Sequence, residues 1–172
     1  MHRLTVEEFH EAEKLPLIVV VDNVRSQYNV GSIFRTADAF RIEAVYLCGI
    51  STPPPSTEIH KTALGAEDSV TWKYFKTTEE AVEELHQQGF FVYSIEQVEG
   101  STKLQTVNLD ATKHYAVVFG NEVKGVQQQI VDMSDGCLEI PQFGTKHSLN
   151  VSITAGIVIW EFAKKALLNI KK

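Results

Sequence analysis

This sequence predicts an α/β fold, a parallel sheet of about six strands with helices on both faces. Three observations carry that expectation. Short stretches rich in β-branched and aromatic residues recur along the chain, bounded by turn residues as buried strands are. Between them apolar residues return at helical spacing, so strands and helices alternate, the order that a parallel sheet requires. At 172 residues, 44% of them hydrophobic and with no internal repeat or low-complexity tract, the chain can bury one sizeable core.

Taken in order, residues 1–16 read as an N-terminal amphipathic helix with Leu4, Val6, Phe9 and Ala12 on its apolar side, ended by Pro16. Its acidic polar face suits packing against protein better than a membrane. Residues 17–172 read as the main domain. Leu17 to Val21 is the first strand, and Val30, Ile33, Phe34, Ala37 and Phe40 mark a helix after Asn29, a candidate N-cap. Ala44 to Cys48 is the second strand. A loop from Gly49 to Thr57 follows, stiffened by Pro53-Pro54-Pro55 into an extended run. Val70 to Phe75 is the third strand, and Thr78 opens a helix whose first turn carries Glu79 and Glu80, with Gly89 as its stop. Phe90 to Ile95, Tyr115 to Phe119 and Cys137 to Ile140 complete the strands. The last helix, from about Leu149 to Leu168, lays Ile153, Ile157, Trp160 and Ala163 or Lys164 along one stripe and ends in Lys171-Lys172.

Composition then narrows the function. The longest apolar runs are far short of the roughly 20 residues a membrane span needs, and no basic-then-apolar leader opens the sequence. A cytoplasmic protein is expected. Cys48 and Cys137 sit in strand-like contexts without CxxC or Cys/His clustering, so buried reduced thiols are expected and no metal site. The net charge of −6 argues against a general nucleic-acid coat but not against a local basic patch. Arg25, Arg35, Arg41, Lys61, Lys124 and Lys146 lie in or beside the motifs below and are candidate RNA contacts, while the acidic runs fall on helices expected to be exposed.

Three segments carry chemistry. In Asn29-Val-Gly-Ser-Ile-Phe-Arg35, the asparagine and glycine follow the first strand and Arg35 stands further along the helix, able to return towards the carboxyl edge where open α/β folds bind ligands. An arginine there can hold a phosphate bidentately, or can simply pair with Asp38 or Asp22. In Gly120-Asn-Glu122-Val-Lys-Gly125, two glycines allow a sharp turn and Glu122 sets one carboxylate beside it. The segment does not meet the P-loop pattern, because Gly125 is followed by Val126-Gln127. In Ile140-Pro-Gln-Phe-Gly-Thr-Lys-His-Ser148-Leu149-Asn150, a strand runs through a polar loop into a helix. Ser148 can be an N-cap and Asn150 can satisfy backbone. Adjacent His147 and Ser148 do not make a hydrolase, since no GxSxG elbow is present.

Together the three segments resemble the SpoU-type (TrmH-like) RNA ribose methyltransferases of the SPOUT superfamily, over about Leu17 to Phe162. Lys61 to Glu67, read as K-x-A-x-G-A-E, adds to the likeness, and Gln142-Phe143 departs from it where a methionine is common. The resemblance implies a C-terminal trefoil knot threaded after roughly Ile95, S-adenosyl-L-methionine as cofactor, a homodimer across the terminal helices, and a ribose 2′-hydroxyl of RNA as acceptor. It implies that Ile95, Gly120, Ile140 and Leu149 surround the cofactor and that Arg35, Asn29, Glu122, Ser148 and Asn150 form the catalytic site. Arg35 would orient the phosphate beside the target, with proton removal by the guanidinium or by that phosphate left open. With only about sixteen residues before the first strand, the chain resembles the tRNA-modifying members more than the ribosomal ones. The competing class is a non-catalytic RNA-binding or assembly protein that keeps the fold. A Rossmann-like oxidoreductase is opposed by the lack of G-x-G-x-x-G after the first strand.

Overall fold

The structure is a computed structural model that describes residues 2–170. Its elements run α1 (Val6–Glu11), β1 (Leu15–Asp22), α2 (Gln27–Ala39), β2 (Ile42–Cys48), α3 (Thr57–Ala63), α4 (Ala66–Ser69), β3 (Trp72–Phe75) and α5 (Thr78–Gln87). Then come β4 (Phe91–Ile95), β5 (Thr102–Lys103), a 3-10 turn at Leu104–Thr106, β6 (Tyr115–Phe119), α6 (Gln128–Met133), β7 (Gly136–Glu139) and α7 (Val151–Ile170). The strands form one sheet in the order β3-β2-β1-β6-β4-β7-β5. Every pairing is parallel.

Alternation along each strand sorts the core into two halves. Leu17, Val19 and Val21 of β1 face a layer made by Phe34 of α2, Ile59 of α3 and Ile159 of α7. Ile18 and Val20 face the opposite layer, with Val82 and Leu85 of α5 and Ile130 of α6. Each such fully buried side chain contributes about 1.5–3 kcal/mol against the entropy of ordering the chain. Helices therefore cover both faces. Where α3 crosses α2 there is no room for a side chain at Gly31, because a Cβ would lie 2.0 Å from Thr62 Oγ1 and 2.3 Å from the Ile59 carbonyl oxygen.

The sheet has seven strands where about six were expected, since the added β5 is two residues long and too short to show a period. β4 and β5 are joined by residues 96–101, yet β7 lies between them in the sheet, so this connection steps past the place β7 occupies. Helices α3, α4 and α6 leave as little signal in the sequence as β5: the longest has seven residues and buries only Ile59 and Ala63.

Several boundaries move. Pro16 does not end a helix; it lies inside β1, where the register to β2 shifts between Leu15 and Ile18, and that irregularity absorbs the missing N–H. The N-terminal helix covers only Val6–Glu11 and buries Phe9 alone. Asn29 is not the cap of α2: Ser26 is, its side chain accepting from the Asn29 N–H at 3.2 Å. Thr77 rather than Thr78 caps α5, because the Thr78 hydroxyl is committed to Asp22 Oδ1 at 2.6 Å. Gly89 does follow the helix in a left-handed conformation. The Pro54–Pro55 peptide is cis, which departs from the extended run expected. Cys48 is buried and Cys137 half-buried, both free thiols; burial pushes the Cys48 thiol up to about 12. Among the described residues no helix is long and apolar enough to cross a membrane. Lys171 and Lys172 lie outside the described residues.

Candidate active site

At the carboxyl edge of the parallel sheet the ends of β1, β4, β6 and β7 and the loops that leave them come together. A cavity of about 280 Å³ opens there, walled by Ile95, Phe119, Leu138, Ile140, Leu149 and Val151 and by the turn 120–125. The turn is built for close approach. Asn121 and Gly125 exchange backbone hydrogen bonds at 3.0 and 2.9 Å, and Gly125 adopts φ +70°, a conformation glycine favours. Gly120 is equally constrained, since a Cβ would fall 2.1 Å from the Gly125 carbonyl carbon.

Two polar clusters fix this turn to the rest of the sheet. Asp22, buried at the end of β1, accepts from the Gln127 backbone N–H at 2.9 Å and from its side-chain amide at 2.6 Å, anchoring the exit of the turn. Asn121 gives its side-chain amide to the Asn23 carbonyl at 2.8 Å and accepts from the N–H groups of Val123 and Lys124. Neither role was visible in the sequence, although Asn121 stands inside the Gly-Asn-Glu segment.

Glu122 joins the second segment to the first. Its carboxylate accepts from the backbone N–H of Arg25 at 3.0 Å and of Ser26 at 2.9 Å, and from the Asn29 side-chain amide at 3.2 Å. Burial works against ionisation, but the Ser26 and Arg25 N–H groups and the Asn29 amide outweigh it and hold the carboxyl below the usual glutamate range. Asn150 joins the third segment to the first, donating from Nδ2 to Asn29 Oδ1 at 3.2 Å. Its Oδ1 meanwhile accepts from the N–H of Ser152 at 2.9 Å and of Ile153 at 3.3 Å, which caps α7. Capping and site-building are thus two ends of one amide, and Asn29 is the centre of a chain Asn150–Asn29–Glu122.

The structure places the remaining candidates as follows. Ile95, Gly120, Ile140 and Leu149 all line the cavity, with Glu122, Ser148 and Lys124. Ser148 is not a cap and makes no hydrogen bond among the described residues. His147 lines the cavity beside it, and the two side chains do not bond each other. Arg35 stands on the exposed side of α2, outside the cavity lining, and forms no hydrogen bond or ion pair among the described residues. The pairing with Asp38 or Asp22 is not seen. Arg25, Lys124 and Lys146 are exposed around the mouth. Lys61, on α3, pairs with Glu58 at 2.8 Å and sits 5.9 Å from the centre of the Tyr28 ring.

Arg41 does not join them. It precedes β2 at the amino edge of the sheet, where its carbonyl accepts from the Leu15 N–H at 2.8 Å, a full strand length of roughly 20 Å from the site. Sequence proximity to the first motif misled because α2 carries the chain back to the opposite edge. Among the described residues no group of three or more His, Cys, Asp or Glu is gathered to hold a metal.

Several known proteins are similar to this chain in sequence and fold. A tRNA (guanosine(18)-2′-O)-methyltransferase of Thermus thermophilus is 30% identical over 165 residues, 96% of this chain and 83% of the relative. A 23S rRNA (guanosine-2′-O-)-methyltransferase of Neisseria meningitidis is 29% identical over 91% of this chain and 62% of its own length. Among solved structures, the A. aeolicus TrmH/SpoU tRNA modifying enzyme superposes with a TM-score of 0.83 at 27% identity, covering 95% of this chain and 82% of that one. An AdoMet-bound rRNA methyltransferase from Sinorhizobium meliloti gives 0.80 at 27% identity, over 91% and 62%. The profile of the SpoU rRNA Methylase family matches residues 16–160, a span that contains all three motif segments and the strands that bring them to one edge, and the chain belongs to that family.

Proposed function

We propose that this chain is an S-adenosylmethionine-dependent methyltransferase that methylates a ribose 2′-hydroxyl of RNA, with tRNA preferred, and that it works as a cytoplasmic homodimer. The single observation that carries the reading is the Asn150–Asn29–Glu122 chain, which binds three distant segments into one polar wall beside the carboxyl-edge cavity. A protein that only bound RNA would have no use for both.

The residues present fit the cofactor. An adenosine needs an apolar slot with backbone groups at its rim, and the cavity offers Ile95, Ile140 and Leu149 with the side-chain-free backbone of Gly120. When bound, the cofactor supplies an electrophilic methyl on its sulfonium. Positioning is what the protein adds. Glu122 and Asn150 leave Asn29 one orientation, and Ser148 presents at the cavity wall a hydroxyl without a partner among the described residues. Arg35 keeps a guanidinium fork, unpaired among the described residues, on the open face of α2, suited to the phosphate next to the target ribose. Arg25, Lys61, Lys124 and Lys146 extend the RNA contact; Arg41 has no part in it.

Support for tRNA comes from similarity, because the tRNA relative is 30% identical over 165 residues and the A. aeolicus tRNA modifying enzyme superposes with a TM-score of 0.83. Support for a dimer comes from α7, where Ile153, Ile157 and Trp160 remain exposed along one stripe. Incubation with methyl-labelled S-adenosylmethionine and separated tRNA and rRNA pools tests the proposal. Label in a ribose of tRNA is the expected result. Label only in rRNA would overturn the substrate preference, and no label in any RNA would overturn the activity.

A further inference from the structure

Three carboxylates line the cavity, and two of them are fully engaged. Glu122 accepts three hydrogen bonds from the α2 entrance. Glu139 accepts from Ser101 Oγ at 2.6 Å and pairs with Lys103. Glu96 differs. It follows the last residue of β4, is half-buried, and among the described residues accepts only from two backbone N–H groups, Val126 at 3.0 Å and its neighbour Gln97 at 3.3 Å. Among the described residues it forms no ion pair, and Lys124, also in the wall, is bonded to none of the three carboxylates.

The position is enforced by the chain. A side chain at Gly125 would bring Cβ to 2.4 Å from Glu96 Oε2, so the glycine keeps the space in which this carboxylate sits against the turn. A carboxylate held at a cavity wall without a cation leaves negative potential inside a partly desolvated volume, where charge is screened less than in water. That potential selects the charge of what enters. S-adenosylmethionine is net +1, from its sulfonium and ammonium against one carboxylate. The demethylated product, S-adenosylhomocysteine, is net zero, because methyl loss leaves a neutral thioether.

We infer that Glu96 is a specificity-determining residue that reads the positive charge of the methyl donor, favouring it over the demethylated product and so easing product release. The inference rests on the reading of this cavity as the cofactor's. Glu96 has a structural part too, holding Val126, and the variant must separate the two. Glu96→Gln does so, since its amide oxygen still accepts from Val126 while the charge is gone; Glu96→Asp keeps the charge on a shorter stem.

The experiment is calorimetric titration of the folded full chain with S-adenosylmethionine, S-adenosylhomocysteine and sinefungin, which carries an ammonium in place of the sulfonium. Glu96→Gln is expected to weaken the two cationic ligands roughly tenfold and the neutral product less than twofold. Glu96→Asp should keep the donor-to-product preference. Equal losses for all three ligands would reduce Glu96 to a brace for the turn, and unchanged affinities would remove it from recognition; either overturns the inference. Leu149→Arg, which fills the cavity, tests the underlying reading separately. Loss of all binding keeps the cavity, whereas wild-type affinity in a folded Leu149→Arg protein would move the cofactor elsewhere.

Discussion

Replacing Glu122 by alanine removes the carboxylate that ties the turn 120–125 to the start of α2. Three hydrogen bonds are lost, at 2.9, 3.0 and 3.2 Å, all accepted by a charged oxygen. Buried charge-assisted bonds contribute about 1.5–3 kcal/mol each, but Glu122 is largely exposed, and solvent screening brings the three together to about 1–2 kcal/mol. The fold survives that loss, with a fall of a few degrees in Tm. Catalysis suffers more, because Asn29 is freed to rotate and a misplacement of about 1 Å costs on the order of a hundredfold in rate. Single-turnover methyl transfer to RNA, measured beside thermal unfolding, reads both. Acid adds a second signature. The folded pKa of Glu122 lies below its unfolded value, so its stabilisation is complete above the unfolded value and is lost as pH falls through the lower, folded one. Glu122→Ala should erase that acid-side loss. Transfer within threefold of wild type would refute the claim that this carboxylate orders the site. So would additive losses in the Asn29→Ala, Glu122→Ala double variant, since partners in one network should couple.

Four further outcomes are expected. Arg35→Ala should abolish methyl transfer while leaving S-adenosylmethionine affinity nearly unchanged, because Arg35 lies outside the cavity wall; calorimetry and a transfer assay together check it. RNA affinity across a salt series should lose about one unit of slope in Lys146→Ala, and none in Arg41→Ala at the far edge. Light scattering should report twice 19.3 kDa, and Ile157→Asp on the exposed stripe should shift the protein towards monomer. Gly31→Ala should lower Tm measurably despite its better helix propensity, because its Cβ would press on Thr62 and Ile59 where α2 and α3 touch.

Sequence alone determined the α/β class and the long elements, because a buried strand such as Leu17 to Val21 and a helix such as α2 repeat their pattern often enough to be read locally. It also pointed to the segments that hold Asn29, Glu122 and Asn150, through their joint resemblance to a known family rather than through any one local pattern. Short elements were beyond it: α3, α4, α6 and β5 each run seven residues or fewer, and no period accumulates over that length. What only the tertiary structure decided is adjacency. Asn29 and Asn150 are 121 positions apart and share a hydrogen bond, whereas Arg41, close to Arg35 in sequence, ends at the opposite edge of the sheet. Glu96 is the sharpest instance, because nothing in Ile95-Glu96-Gln97 marks it; its meaning comes from a glycine and a backbone N–H that the sheet order brings against it. Local periodicity is a property of neighbouring residues, while a site is made of contacts that loop closure and strand order create between distant ones.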